Sequence, residues 1–276
     1  WGNEMDFYGA EENIIMRESG RKQLELSTII KFVISGLLLL CALVALSVYA
    51  VYHGIILLNN PSTSVYPVRG VDVSHYQGEI DWQILSGEGI QFAYIKATEG
   101  SSHTDRKFQE NWVKARKTDL SIGAYHFFSF DSPGETQLAH FVQEVPAFDE
   151  MLPPVVDFEF YGDKKVNPPQ VEPTAEQLDI MLKGLEEHYG VKPVIYATED
   201  SWELYLKGRF DEYPLWIRNV MTKPKTGDQQ WLMWQYTNRE KLKGYEGEEK
   251  YIDMNVFAGD QEQWEEWSLE KRPALD

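Results

Sequence analysis

The sequence predicts an α/β fold: a reduced, TIM-like (β/α)-type barrel preceded by one N-terminal transmembrane helix. Three observations carry this expectation. Residues 32–52 form an uncharged apolar run. From Arg69 onward, short runs rich in β-branched and aromatic residues alternate with amphipathic stretches. In the last third this alternation gives way to strand-like runs separated by short gaps, so one side of the barrel is poor in helices.

The apolar run, FVISGLLLLCALVALSVYAVY, comes first. About 20 apolar residues rising ~1.5 Å each cross the hydrocarbon of a bilayer. A soluble core helix of that length would carry a polar stripe, and the run has none. Arg17, Arg21, Lys22 and Lys31 precede it, and the first basic residue after it is Arg69. That bias puts the N-terminus in the cytoplasm and everything after about residue 53 outside it. A cleavable signal peptide is the competing reading, with Val48-Tyr49-Ala50 as its small-residue site. The preceding segment is long and partly acidic, however, and the run exceeds the usual ~7–15-residue signal core. We therefore expect an uncleaved anchor. The chain divides into a cytoplasmic segment (1–31), a transmembrane helix (32–56), an Asn/Pro/Ser-rich tether (57–68) and a barrel domain (69–276).

Charge and cysteine content narrow the function. The 276 residues include 26 basic and 44 acidic side chains, net −18. A balance this acidic excludes nucleic acid as a partner, since phosphate needs basic surface. The membrane is expected to be met through the N-terminal helix, not through bulk charge. The single cysteine, Cys41, is apolar filler inside the span, so no internal disulfide or multi-cysteine metal site can form.

Within the barrel domain, strands are expected at 70–73, 92–96, 122–127, 154–160 and 193–197. Helices are expected between them at 80–86, 105–118, 134–145 and 174–189. Pro173-Thr174-Ala175-Glu176 starts the last of these and Gly190 stops it. Five β-then-α units in series give a parallel sheet with helices outside. Three further strands, 215–218, 231–236 and 252–256, follow with little helix apart from a short stretch at 199–206. A final amphipathic helix is expected at 260–269.

Catalytic side chains of such barrels sit at the C-terminal ends of strands. The first strand presents Asp72, the fourth Asp157 and Glu159, and the eighth Asp253, so four carboxylates converge on one mouth. Asp157 and Glu159 are two apart and share a strand face. Apolar neighbours Val155, Val156, Phe158 and Phe160 favour a buried strand over an exposed edge. Two acids buried together cannot both ionise freely, so one is expected to hold its proton at neutral pH. An acid with a partner carboxylate is the arrangement that glycoside hydrolysis uses.

These residues also carry a resemblance. RGVDVSHYQGEIDW, FAYIKATEG, IGAYHFF, PPVVDFEFYG, PVIYAT, LWI, MWQYT and YIDMNVFAG stand in the order seen in glycoside hydrolase family 25, the Chalaropsis-type lysozymes or muramidases. The chain resembles that family over roughly residues 68–259. The resemblance implies a (β/α)5(β)3 barrel, no cofactor, and hydrolysis of the β-1,4 bond between N-acetylmuramic acid and N-acetylglucosamine in peptidoglycan glycan strands. It implies Glu159 as proton donor and Asp157 as the group that stabilises charge or orients the substrate N-acetyl group. Asp72 and Asp253 would line the same site, and Tyr125, Tyr196, Trp216 and Gln235 the sugar groove. A barrel that binds wall glycan without cleaving it is the alternative. An enzyme acting on chitin is a further one, disfavoured because no DxxDxDxE run surrounds Asp157.

The chain departs from the family pattern after LWI, where a small residue is usual and Arg218-Asn219 stands instead. Arg218 is expected to pair with a nearby acid; otherwise it narrows the groove or meets a carboxylate of the muramyl lactyl group or peptide stem. His126 is expected to be a hydrogen-bonded core histidine, and His75 to rim the cleft. Lys96 and Glu99 are expected to pair near the site. Trp112, Trp264 and Trp267 are expected to pack.

Overall fold

The structure, a computed structural model, describes residues 3–148 and 151–270. The end of the expected barrel domain, 271–276, lies outside the described residues. The chain forms two compact units that divide between Ile56 and Leu57.

The first unit is one helix, α1 (Asn3–Tyr52). The expected span was 32–56. The helix instead begins far upstream, because Glu, Arg, Lys and Leu dominate residues 16–31 and are good helix formers. It ends at Tyr52, four residues early. Gly54 takes a left-handed φ of 61° just beyond, and Ile55 N donates back to Ala50 O at 2.8 Å. Its apolar side chains between Met16 and Tyr52 are largely exposed, and that stretch is long and apolar enough to cross a membrane.

The second unit is the barrel. Strand β1 (Arg69–Val73) lies parallel to β2 (Phe92–Glu99). The parallel order continues through β3 (Ser121–Phe127), β4 (Val155–Phe158), β5 (Val194–Thr198), β6 (Leu215–Arg218) and β7 (Met233–Glu240). Strand β8 (Ile252–Phe257) closes the ring antiparallel to both β7 and β1. Helices α2 (Trp82–Ser86), α3 (Phe108–Ala115), α4 (Gly134–Glu144) and α5 (Val171–Tyr189) follow the first four strands. A short helix, Glu199–Ser201, runs into a wider turn, Trp202–Leu206, after β5. Helix α6 (Gln261–Glu270) ends the described chain. The expected (β/α)5(β)3 order is therefore present.

Local chemistry sets the ends of these elements. Asp81 caps α2 by accepting from the backbone N–H of Gln83 and Ile84. Helix α5 starts at Val171, earlier than expected, with Pro173 tolerated in the first turn, and stops on Gly190 at φ 70°.

Strand alternation builds two cores. Outward residues such as Val71, Ile95, Val156, Phe158, Ile195 and Ile217 meet Phe108, Trp112, Phe141, Leu178 and Leu182 of the helices. Inward residues Phe92, Tyr94, Val155, Val194, Trp216, Met233 and Phe257 fill the barrel, and Trp264 of α6 stacks on Phe92. Gly123 makes room for this filling, since a Cβ there would collide with the ring of Tyr94.

The segment expected to be a tether, 57–68, makes contacts with the barrel. Asn59 Nδ2 donates to Asn219 O at 3.2 Å, Arg69 donates to Pro61 O, and Tyr66 packs between Trp231 and Trp234. Its aromatic and amide groups find partners in the barrel wall, which its Asn/Pro/Ser composition did not disclose.

Candidate active site

The inward positions nearest the strand ends open into a cleft of about 420 Å³ at one mouth of the barrel. Asp72, Asp157, Glu159 and Asp253 all line it, as do Tyr125, Tyr196, Trp216 and Gln235. All eight residues singled out in the sequence thus come together. Asp72, Asp157 and Glu159 sit at or just past C-terminal strand ends. Asp253 does not: it is the second residue of β8. It reaches the same mouth because β8 runs in reverse, which places it directly across from Asp72 in the β1–β8 register.

A hydrogen-bond relay fixes Asp72. Asn255 Nδ2 donates to its Oδ2 at 2.7 Å, and Gln235 Nε2 donates to both oxygens at 3.0 and 3.1 Å. Behind them, Trp216 Nε1 donates to Asn255 Oδ1 at 2.9 Å, and Tyr196 OH donates to Gln235 Oε1 at 3.0 Å. Trp216 and Gln235 are almost wholly buried, at 1% and 2% exposure. They form the floor that holds Asp72, and Trp216 offers no open face as a sugar platform.

Asn255 is the functional position that sequence reasoning passed over. Its signal was available: it lies two residues after Asp253 on one strand, so it shares Asp253's face. Replacing Asn255 with Leu, similar in volume, strips Asp72 and Trp216 of a buried partner each. Urea unfolding is expected to show a loss of about 2 kcal/mol, together with reduced activity. An unchanged midpoint would remove the relay from the account.

Burial sets the protonation of the four acids. Desolvation pushes Asp157 well above the ordinary carboxylate range, and the neighbouring Glu159 pushes it further. Its Oδ1 is buried with no hydrogen-bond partner. Glu159 is raised by burial too, with Arg218 pulling the other way. Asp253 is raised by burial and then by Asp72. Asp72 is raised by burial as well, and the bonds from Asn255 and Gln235 offset part of that rise. Asp157 is closed in at 8% exposure, whereas Glu159 is only half-buried and faces the cleft.

His126 is a core histidine: its Nδ1 meets Thr98 Oγ1 at 2.7 Å, its Nε2 meets Gln137 Oε1 at 3.0 Å, and burial lowers its pKa to about 3. Lys96 Nζ pairs with Glu99 Oε2 at 2.7 Å. His75 is not among the residues that line the cleft; its Nδ1 lies 2.7 Å from the buried Asp105. Trp112 and Trp264 pack in the two cores, and Trp267 lies against Phe257. Arg218 reaches the cleft but forms no ion pair among the described residues, against the expected pairing.

A barrel of this order, with a carboxylate cluster in a sugar-sized cleft, has the makings of a glycoside hydrolase. Residues 71–245 match the sequence pattern of Glycosyl hydrolases family 25. The chain is 35% identical over 204 residues to protein YegX of Escherichia coli O157:H7, covering 72% of each. It is 30% identical over 213 residues to Lysozyme M1 of Streptomyces globisporus, covering 70% of this chain and 68% of that one. Among solved structures, a family 25 glycosyl hydrolase from Bacillus anthracis superposes with a TM-score of 0.72 at 49% identity, covering 76% of this chain and 97% of the other. The chain belongs to glycosyl hydrolase family 25.

Proposed function

We propose that the protein is a peptidoglycan muramidase that cleaves the β-1,4 bond between N-acetylmuramic acid and N-acetylglucosamine, with Glu159 as its acid. The observation that carries the reading is the β4 acid pair: Asp157 is enclosed and Glu159 faces the cleft, both with raised proton affinity. Glu159 gives its proton to the glycosidic oxygen as the bond from C1 of muramic acid breaks. The leaving N-acetylglucosamine departs with a free 4-hydroxyl. Asp157 offers its unmatched oxygen to the N-acetyl group, and Asp72 and Asp253 face the positive charge that develops at C1. Water completes the reaction at C1 and leaves a reducing muramic acid end.

The experiment is digestion of purified peptidoglycan by the full chain in detergent, followed by borohydride reduction and mass spectrometry. Reduced muramic acid ends are expected. Reduced glucosamine ends, or binding to sacculi without release, would overturn the reading.

The membrane assignment rests on the apolar run of α1 and on the basic residues Arg17, Arg21, Lys22 and Lys31 on its N-terminal side. It gives a single-pass protein of the cytoplasmic membrane, N-terminus inside and barrel outside. A C-terminal tag should then be degraded by external protease on intact spheroplasts. Protection of that tag would reverse the orientation.

A further inference from the structure

The cleft holds two cations, and they are used differently. Lys96 is engaged: its ammonium sits 2.7 Å from Glu99 and 4.7 Å from the ring centre of Phe127. Arg218 is not. It is the last residue of β6, on the same inward face as Trp216, in register with Thr198 of β5 and Gln235 of β7. Five carboxylates, Asp72, Asp157, Glu159, Glu249 and Asp253, line the cleft with it, yet among the described residues its guanidinium makes no ion pair within 4.0 Å and no hydrogen bond. An arginine fork has five N–H donors in a plane matched to a carboxylate. Here those donors face a cleft built for ligand.

The acids make this cation necessary for one kind of substrate. A neutral glycan enters an acidic cleft without penalty. A glycan carrying its own carboxylate is repelled by the ionised members of the cluster unless a local cation offsets them. Muramic acid carries a lactyl ether on O3, and its carboxyl group is free when no peptide is attached. A stem peptide replaces that carboxylate by an amide and brings carboxylates of its own.

Resting on the muramidase reading, we propose that Arg218 is a specificity-determining residue that grips a carboxylate borne by the muramic acid unit of the substrate. The fork meets the two carboxylate oxygens side on, a geometry that Lys cannot reproduce. Substrate choice is thereby tied to the state of the lactyl group, whereas Glu159 and its neighbours act on the sugar ring.

The test uses the full chain in detergent, as native protein, Arg218→Gln and Arg218→Lys, on muramic-acid-containing tetrasaccharides of three forms. One has a free lactyl carboxylate. In the second the lactyl group is a neutral methylamide. The third carries a short acidic stem peptide. Arg218→Gln is expected to raise KM about tenfold or more on a carboxylate-bearing form, the effect of losing a hydrogen bond between charged groups. On the methylamide, the loss in kcat/KM should be about tenfold smaller than on the carboxylate-bearing form, because no such bond exists there to lose and any effect through the cleft acids is common to all forms. Arg218→Lys should recover part of the loss. An effect on the free lactyl form identifies the lactyl carboxylate; an effect on the peptide form identifies the stem.

Equal loss on all three forms overturns the proposal, because the guanidinium would then act only through its charge on the catalytic acids. No loss on any form overturns it as well. Binding of the same three sugars to Glu159→Gln and Glu159→Gln/Arg218→Gln proteins is read in parallel. A native protein that makes no muramic ends refutes the muramidase reading, and these binding curves still decide whether Arg218 selects the carboxylate.

Discussion

Replacing Glu159 with Gln is expected to lower kcat about 10³-fold while KM and thermal stability stay close to native. The amide keeps the size of the carboxyl and removes only the proton that the leaving oxygen needs. An interaction used solely in the transition state lowers kcat and kcat/KM together, and that pattern is the signature to look for. The pH profile of the native protein should agree. Glu159 must be protonated to act, and burial raises its pKa, so activity persists above the usual carboxylate range and falls as pH rises through the raised value. Arg218 works against that rise, so Arg218→Gln should move the falling limb to higher pH. If the Gln variant keeps more than about a tenth of native kcat, which is less than the usual effect of losing a positioned acid, Glu159 is not the donor.

The second large effect concerns stability. Asp157 binds its proton more tightly folded than unfolded, because burial and Glu159 both penalise its charge. The folded state therefore carries the extra proton between the two pKa values, and its stability falls as pH rises through that window. His126 runs the other way. Buried neutral with a pKa near 3, it favours the unfolded state as pH drops below about 6.5, where the free imidazole takes a proton. The overall curve mixes both, so the informative quantity is a difference. The melting temperature of Asp157→Asn minus that of the native protein is expected to be near zero at pH 4. It should grow to about 3 °C by pH 8, on the order of 1 kcal/mol for a domain of this size. Activity of the same variant should fall about 10²-fold. A gain in stability with a loss of function would identify Asp157 as an acid kept for chemistry. A difference that does not change with pH would mean that Asp157 is not the group that titrates.

Much of the barrel was legible because its signals are local. Period-two alternation in VVDFEF and FAYIKATE shows which residues face inward, and the structure follows it until a register shift between Lys96 and Thr98. The four carboxylates were legible for the same reason. What escaped depends on contacts distant in sequence. The direction of β8 cannot be read from YIDMNVF, since a strand looks alike in either sense. The burial of Trp216 follows from Asn255 and Tyr94 reaching it from other strands. The docking of residues 59–68 depends on Asn219, Trp231 and Trp234, all beyond residue 215. Helix α1 outran its apolar core because helix propensity carries no information about where a bilayer begins.

The reversed last strand has a consequence for when activity can arise. Asp72 lies near the start of the barrel and is held by Asn255, 183 residues later. Asp253 comes from that same final strand. Contacts this distant close late in folding, after the local β/α units have formed. A chain without its final strand lacks Asp253 and the Asn255 amide that holds Asp72. Completion of the acid cluster is thus tied to the seating of the final strand against the first.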